Sequence, residues 1–109
     1  MYTVIIPIYN EEQILPELRT RLMAATAGLD ESFEVILIDD GSRDGSYALM
    51  TAMHTADSRI KVIRLSRNFG HQIAISAGLD EARGDAVVLM DGDLQDPPEI
   101  LPEIDEAVF

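Results

Sequence analysis

The sequence contains no cysteine. Disulfides and thiolate metal sites are excluded, and the composition suits a reducing, cytoplasmic setting. Cations are scarce. Eight Lys and Arg stand against 20 Asp and Glu, for a formal net charge of −12. A surface of that sign repels a phosphate backbone, so nucleic acid is not an expected partner. It also repels a nucleoside diphosphate, unless a metal or a local donor cluster inverts the field at the site. Long apolar runs are missing. They stop near five residues, against the ~20 that cross a membrane. No signal peptide is read at the start, where the chain enters a strand at once. The usual phosphate loops are absent too: no G-x-G-x-x-G follows the first strand and no G-x-x-x-x-G-K occurs. A dinucleotide dehydrogenase and a P-loop enzyme are therefore disfavoured.

What is present fits one domain with one core. The chain has 109 residues, 47% of them hydrophobic, too many for a disordered chain. Strands are expected at Tyr2 to Ile8, Phe33 to Ile38, Ile60 to Leu65 and Ala86 to Met90, from their β-branched apolar runs. Between them lie helical patterns. The first carries Ile14, Leu15, Leu18, Leu22 and Ala25, with Asn10 as its cap, Pro16 in its early turns and Gly28 at its end. The second carries Leu49, Ala52, Met53 and Ala56, capped by Asp44 or Ser42. The third, Gln72 to Arg83, is rich in small residues (Ala74, Ser76, Ala77, Gly78) that permit close approach, and Gly84 closes it. A last helix opens at Pro97-Pro98 and carries Ile100, Leu101, Ile104 and Val108. Such alternation predicts a Rossmann-like α/β fold: a parallel sheet of about four strands, helices on both faces and right-handed crossovers.

In such sheets ligands bind beyond the carboxyl ends of the strands. The polar clusters fall there: Tyr9-Asn10-Glu11, Asp39-Asp40-Gly41-Ser42, Arg67-Asn68 and Asp91-Gly92-Asp93. The last cluster is the most telling. Two carboxylates one residue apart at the end of a buried strand repel each other, and burial adds to the cost. A bridging cation removes it. With Gln95, the donors are hard oxygens that select Mg²⁺ or Mn²⁺. An EF-hand is excluded, because Asp96 stands where that loop needs Gly and Pro102 where it needs Glu. Arg67 is expected to meet phosphate or nucleotide. Of the Asp39–Asp40 pair, one is read as a turn carboxylate. His54 reads as an exposed helix face, His71 as a surface or capping residue, and the methionines as core filler.

Four stretches in this order, VIIPIYNEE, ILIDDGSRDGS, RLSRNFGHQIAISAGL and VVLMDGDLQDPPE, resemble family 2 glycosyltransferases of the GT-A fold. The nearest likeness is to the polyprenyl-phosphate branch, the dolichol-phosphate mannose synthases and bacterial undecaprenyl-phosphate glucosyltransferases. The resemblance implies that Pro7, Tyr9 and Glu11 lie against the base and ribose and that Asp40 reads the base edge. It implies that Asp91, Asp93 and Gln95 hold the metal at the donor diphosphate, with Asp91 also facing the nucleotide. It implies an inverting displacement onto a polyprenyl phosphate at the cytoplasmic face of a membrane. UDP-glucose is the expected donor and GDP-mannose the second candidate.

The family's catalytic domains run well beyond 109 residues. Residues 1–109 are therefore expected to be the donor-binding, N-terminal half of a GT-A domain. That half lacks the acceptor-activating base, is inactive alone, and is open to self-association along the fourth strand. The competing reading is a receiver-like signalling domain, also acidic and Mg²⁺-binding. It is disfavoured because strand one ends in Pro-Ile-Tyr-Asn-Glu and the only lysine is Lys61. A chain that binds nucleotide and does nothing further is the remaining alternative.

Overall fold

Residue-for-residue pairing of the two most apolar strands sets the architecture. In the computed structural model, which describes residues 2–27 and 33–90, β1 (Tyr2–Ile8) lies parallel to β2 (Phe33–Asp39) in register from Tyr2↔Phe33 to Ile8↔Asp39. Both strands are buried along almost their whole length. This matches their near-continuous apolar sequence, since a central parallel strand is covered on both faces. β3 (Ile60–Arg64) joins the far side of β2, and β4 (Ala86–Leu89) joins the free side of β1. The order is β3-β2-β1-β4, all parallel.

That order reverses direction once. The chain steps outward from β1 to β3, then returns to the other side of β1. With right-handed crossovers, the reversal moves the connecting helix to the opposite face. Accordingly α1 (Leu15–Thr26) and α2 (Ser46–Ala56) pack on one face. There Leu15, Leu18, Leu22, Met50 and Met53 meet Val4, Ile6, Ile8, Val35 and Leu37. α3 (His71–Glu81) covers the other face, where Ala74 meets Ile5, Ile36 and Ile38. The switch point, where such folds bind ligands, is the crevice at the carboxyl ends of β1 and β4. In a receiver β1 pairs with β2 and β3; here it pairs with β2 and β4.

Small residues in α3 let the helix approach the sheet. Ala74 and Gly78 are its buried positions. A Cβ on Gly78 would stand 2.8 Å from Ile5 Cγ2 and 2.9 Å from Ile38 Cδ1. Three local expectations are corrected. Asn10 does not cap α1; Ile14 holds the N-cap position without a side-chain bond, and Pro16 sits in the first turn as expected. The buried stripe of α2 is Ser46, Met50 and Met53, with Leu49 partly covered, whereas Ala52 and Ala56 are exposed. α3 ends at Glu81, and Gly84 lies in the turn beyond it. His54 is exposed as expected, with Nδ1 2.6 Å from the Ile60 carbonyl oxygen. Gly28 and the last expected helix lie outside the described residues.

The amino end of the sheet is tied by one carboxylate. Glu34, 3% exposed, accepts from Thr3 Oγ1 at 2.6 Å, Lys61 Nζ at 2.7 Å and Arg83 N–H at 2.7 Å. Gly84 N–H donates to the same Thr3 hydroxyl. Burial pushes the Glu34 carboxyl upward, but the bonds from Lys61, Thr3 and Arg83 outweigh it and hold the pKa down to about 2. Among the described residues β4 is an edge strand, with Val87 and Leu89 exposed.

Candidate functional site

The loops after β1 and β2 are stitched together at the carboxyl end of the sheet. Asn10 takes a left-handed backbone, φ 52°, which asparagine tolerates better than most residues. Its N–H donates to Ser42 Oγ at 2.9 Å, and its Oδ1 accepts from Arg43 N–H at 2.8 Å. One step on, Glu11 N–H donates to Ser46 Oγ at 2.9 Å. Glu12 N–H donates to Asp44 Oδ2 at 3.3 Å, and Glu12 Oε2 accepts from Gly45 N–H at 3.1 Å. Asp44 Oδ1 also accepts from Ser46 N–H at 2.9 Å, at the start of α2. This is the capping role expected of Asp44, exercised just ahead of the formal N-cap Gly45. Burial raises the Asp44 carboxyl, and hydrogen bonds from Ser46 and from Glu12 N–H bring it below its ordinary value.

Asp39 and Asp40 play different parts. Asp39 Oδ1 accepts from Ser42 N–H at 3.0 Å, the turn role read for one of the pair. Its Oδ2 is buried without a hydrogen-bond partner among the described residues, 3.8 Å from Arg64 Nε. Arg64 in turn lies over the Tyr47 ring at 4.2 Å. Asp40 turns toward the loop after β3. Its Oδ1 accepts from Phe69 N–H at 2.8 Å and its Oδ2 from Gly70 N–H at 3.1 Å. Gly41 brings the same two loops into contact. With φ 74°, its Cβ would fall 2.3 Å from Arg67 C and Asn68 N, so a side chain there would have to part the backbones.

Three loops thus form one interlocked rim. It gathers Tyr9 and Glu11 from the first loop, Asp40 from the second and Arg67 from the third. Tyr9 is exposed, Glu11 half-buried, Asp40 buried, and Arg67 exposed over the Phe69 ring at 4.7 Å. Pro7 is the partly exposed position near the end of β1. Two clefts flank the stitching. One of about 290 Å³ is lined by Asn10, Glu11, Glu12, Gln13, Ile14 and Asp44. One of about 350 Å³ is lined by Gly41, Ser42, Arg64, Leu65 and Ser66. Asp91, Asp93 and Gln95 lie outside the described residues, which end at Met90, bonded through its N–H to Ile5 O. Among the described residues no group of three acidic, His or Cys side chains could hold a metal. Nor, among them, is any helix long and apolar enough to cross a membrane.

The sequence reading missed Asn10, Glu12, Ser42 and Ser46 as rim-locking residues, and Gly70 as a donor to Asp40. Their partners are about thirty residues away in sequence, and single-sequence periodicity carries no signal for such pairs.

Sequence and structural relatives agree with this geometry. The profile of Glycosyl transferase family 2 matches residues 3–107, and the chain belongs to that family. It is 48% identical over 103 residues to the undecaprenyl-phosphate 4-deoxy-4-formamido-L-arabinose transferase of Pseudomonas fluorescens, covering 94% of this chain and 30% of that protein. It is 45% identical over 105 residues to the uncharacterized glycosyltransferase YkcC of Bacillus subtilis, covering 96% and 32%. The chain therefore spans about a third of the length of these relatives. Among solved structures, S. aureus TarS 1–349 in complex with UDP-GlcNAc superposes with a TM-score of 0.69 at 29% identity, over 84% of this chain and 26% of that one. The mannosyltransferase PcManGT of Pyrobaculum calidifontis, in complex with GDP-Man and Mn²⁺, gives 0.70 at 25% identity, over 84% and 27%. The described sheet and helices share the fold of GT-A glycosyltransferases, and the receiver alternative falls away.

Proposed function

We propose that this chain is the donor-binding part of a glycosyltransferase that moves a sugar from a nucleoside-diphosphate donor to a polyprenyl phosphate. The observation that carries the reading is the rim itself. Exposed Tyr9 and Arg67 stand on loops fixed to one another at the carboxyl end of the sheet, so a flat base and an anionic diphosphate meet a prearranged surface. In this reading Pro7, Tyr9 and Glu11 lie against base and ribose. Asp40 accepts from a ring N–H, and Arg67 offsets phosphate charge in an otherwise acidic protein.

Asp91, Asp93 and Gln95 supply two carboxylates and an amide oxygen, a donor set that fits Mg²⁺ or Mn²⁺. When bound, the ion supplies Lewis-acid stabilisation of the diphosphate leaving group. The complex of PcManGT with Mn²⁺ supports use of a divalent ion, and the nucleotide-sugar complex of TarS supports the donor class. The undecaprenyl-phosphate relatives support a polyprenyl phosphate acceptor, and the cytoplasmic face of a membrane is the setting we infer for it. Displacement at the anomeric carbon proceeds with inversion, the acceptor phosphate being the nucleophile. UDP is the favoured carrier, with glucose as its sugar, and GDP-mannose the second. The exposed β4 edge suits pairing with a second chain when the domain is isolated.

The test is transfer by the full-length protein in a membrane preparation containing undecaprenyl phosphate. Labelled UDP-glucose and GDP-mannose are supplied separately with Mn²⁺. Lipid-linked label from one donor, abolished by EDTA, is the expected result. No lipid-linked label from any nucleoside-diphosphate sugar would overturn the reading.

A further inference from the structure

The geometry points to Gly70 as a positioning residue for base selection, acting through Asp40. The inference rests on the reading of Asp40 as the base-edge acceptor. Gly70 has φ 104° and ψ 160°, a region that is essentially closed to residues with a Cβ. Two pressures commonly put glycine at such a position: lack of room, or need for the backbone shape. Room is not the reason here, because among the described residues a Cβ on Gly70 would meet nothing within 4 Å. The backbone shape is what the site uses.

That shape has a definite product. It turns the Gly70 N–H onto Asp40 Oδ2 at 3.1 Å, while the preceding Phe69 N–H meets Oδ1 at 2.8 Å. Both carboxylate oxygens are thereby fixed by a backbone two loops away, and Asp40 is 4% exposed. A carboxylate oxygen has a second lone-pair direction free after one N–H bond, and that direction is set once the first is taken. Gly70 also begins α3, with Ala74 N–H donating to its carbonyl at 3.1 Å. The helix is anchored on the sheet through Ala74 and Gly78. The donors that orient Asp40 therefore rest on a rigid element. Arg67, three residues before Gly70, lies on the same loop, whose backbone is held against Gly41.

The consequence is specificity. Uracil and guanine present a ring N–H on the edge where cytosine and adenine present a bare acceptor nitrogen. A fixed carboxylate accepts from the former and repels the latter; a carboxylate free to swing does neither well. Gly70→Ala disturbs the backbone without a packing clash among the described residues, so it should loosen base selection and leave diphosphate binding intact.

The experiment measures affinities of the full-length protein for UDP, GDP, CDP, ADP and inorganic diphosphate in Mn²⁺, for wild type, Gly70→Ala and Asp40→Asn. In Gly70→Ala, preference for the better of UDP and GDP over CDP and ADP is expected to fall about tenfold or more, with inorganic diphosphate within about twofold. Asp40→Asn keeps the shape but replaces one acceptor by a donor that faces an N–H, and should lose the preference likewise. If Gly70→Ala does not fold, unchanged preference in Asp40→Asn still overturns the inference, because it removes the group through which Gly70 acts. Unchanged preference in folded Gly70→Ala, or an equal loss for all five ligands, overturns the positioning role while leaving the donor site standing. Preference lost in Asp40→Asn but kept in Gly70→Ala sinks only the role of Gly70. A wild type that binds none of the nucleotides overturns the donor-site reading, and this inference with it.

Discussion

Asn10 Oδ1 accepts the Arg43 N–H at 2.8 Å, joining two loops that are 33 residues apart in sequence. The same asparagine donates its own N–H to Ser42 Oγ. One side chain and one left-handed backbone thus hold the first two arms of the rim.

Asn10→Ala removes the Oδ1 acceptor and strains the backbone, whereas Asn10→Gly keeps φ 52° accessible. Losing the bond costs about 1 kcal/mol, and the left-handed strain in the alanine variant about 1 kcal/mol more. Urea unfolding should rank wild type above Asn10→Gly above Asn10→Ala. Equal stability of the two variants would show that the backbone conformation carries no cost there.

Glu34 is expected to make the fold acid-sensitive. Its pKa falls from 4.5 unfolded to about 2 folded. A depressed carboxylate stabilises the fold fully above the unfolded value and loses that contribution as pH falls through the folded one. The window is therefore about pH 5 down to 2, and the contribution about 3 kcal/mol. Glu34→Gln should unfold more easily at pH 7 and show a flatter stability curve across that window. An identical acid limb in the variant would remove Glu34 from the account.

Gly78→Leu should be among the most damaging single changes in α3. Its first new atom would meet Ile5 and Ile38 inside 3 Å, and overpacking of this kind costs about 1–3 kcal/mol or more. Thermal unfolding should show the loss, while Leu79→Ala on the exposed side should change stability little.

The edge strand gives a fourth outcome. Val87 and Leu89 are exposed on β4, and a charge placed on an open edge opposes chain-to-chain pairing. Val87→Lys in the isolated domain should lower its sedimentation-averaged mass at high concentration. If the wild-type domain is monomeric at every concentration, edge pairing is not a property of this chain.

How much was legible follows from the range of each signal. Strands and helices were readable because their periods are local: Val4 to Ile8 and Phe33 to Ile38 are apolar nearly without break, and Ala74 and Gly78 fall four apart. Pro16 marked the first turn of α1 for the same reason. Asn10 misled because an asparagine ahead of two glutamates looks like a cap, while its true partners, Ser42 and Arg43, belong to another loop. In α2 the expected stripe counted Ala52 and Ala56 as anchors. Alanine buries too little to set a helix phase, and Met50, with Ser46 held by the Glu11 N–H, set it instead. The division of labour between Asp39 and Asp40 was foreseeable as a split. The donors to Asp40 were not, since Phe69 and Gly70 reach it only through the fold.

The most direct test of the account is calorimetric titration of UDP and of GDP into the full-length protein, each with and without Mn²⁺, for wild type and Asp93→Ala. The account predicts binding of one nucleotide that depends on manganese and is lost in the variant. Binding of neither by a folded protein, or binding indifferent to both metal and Asp93, would contradict it.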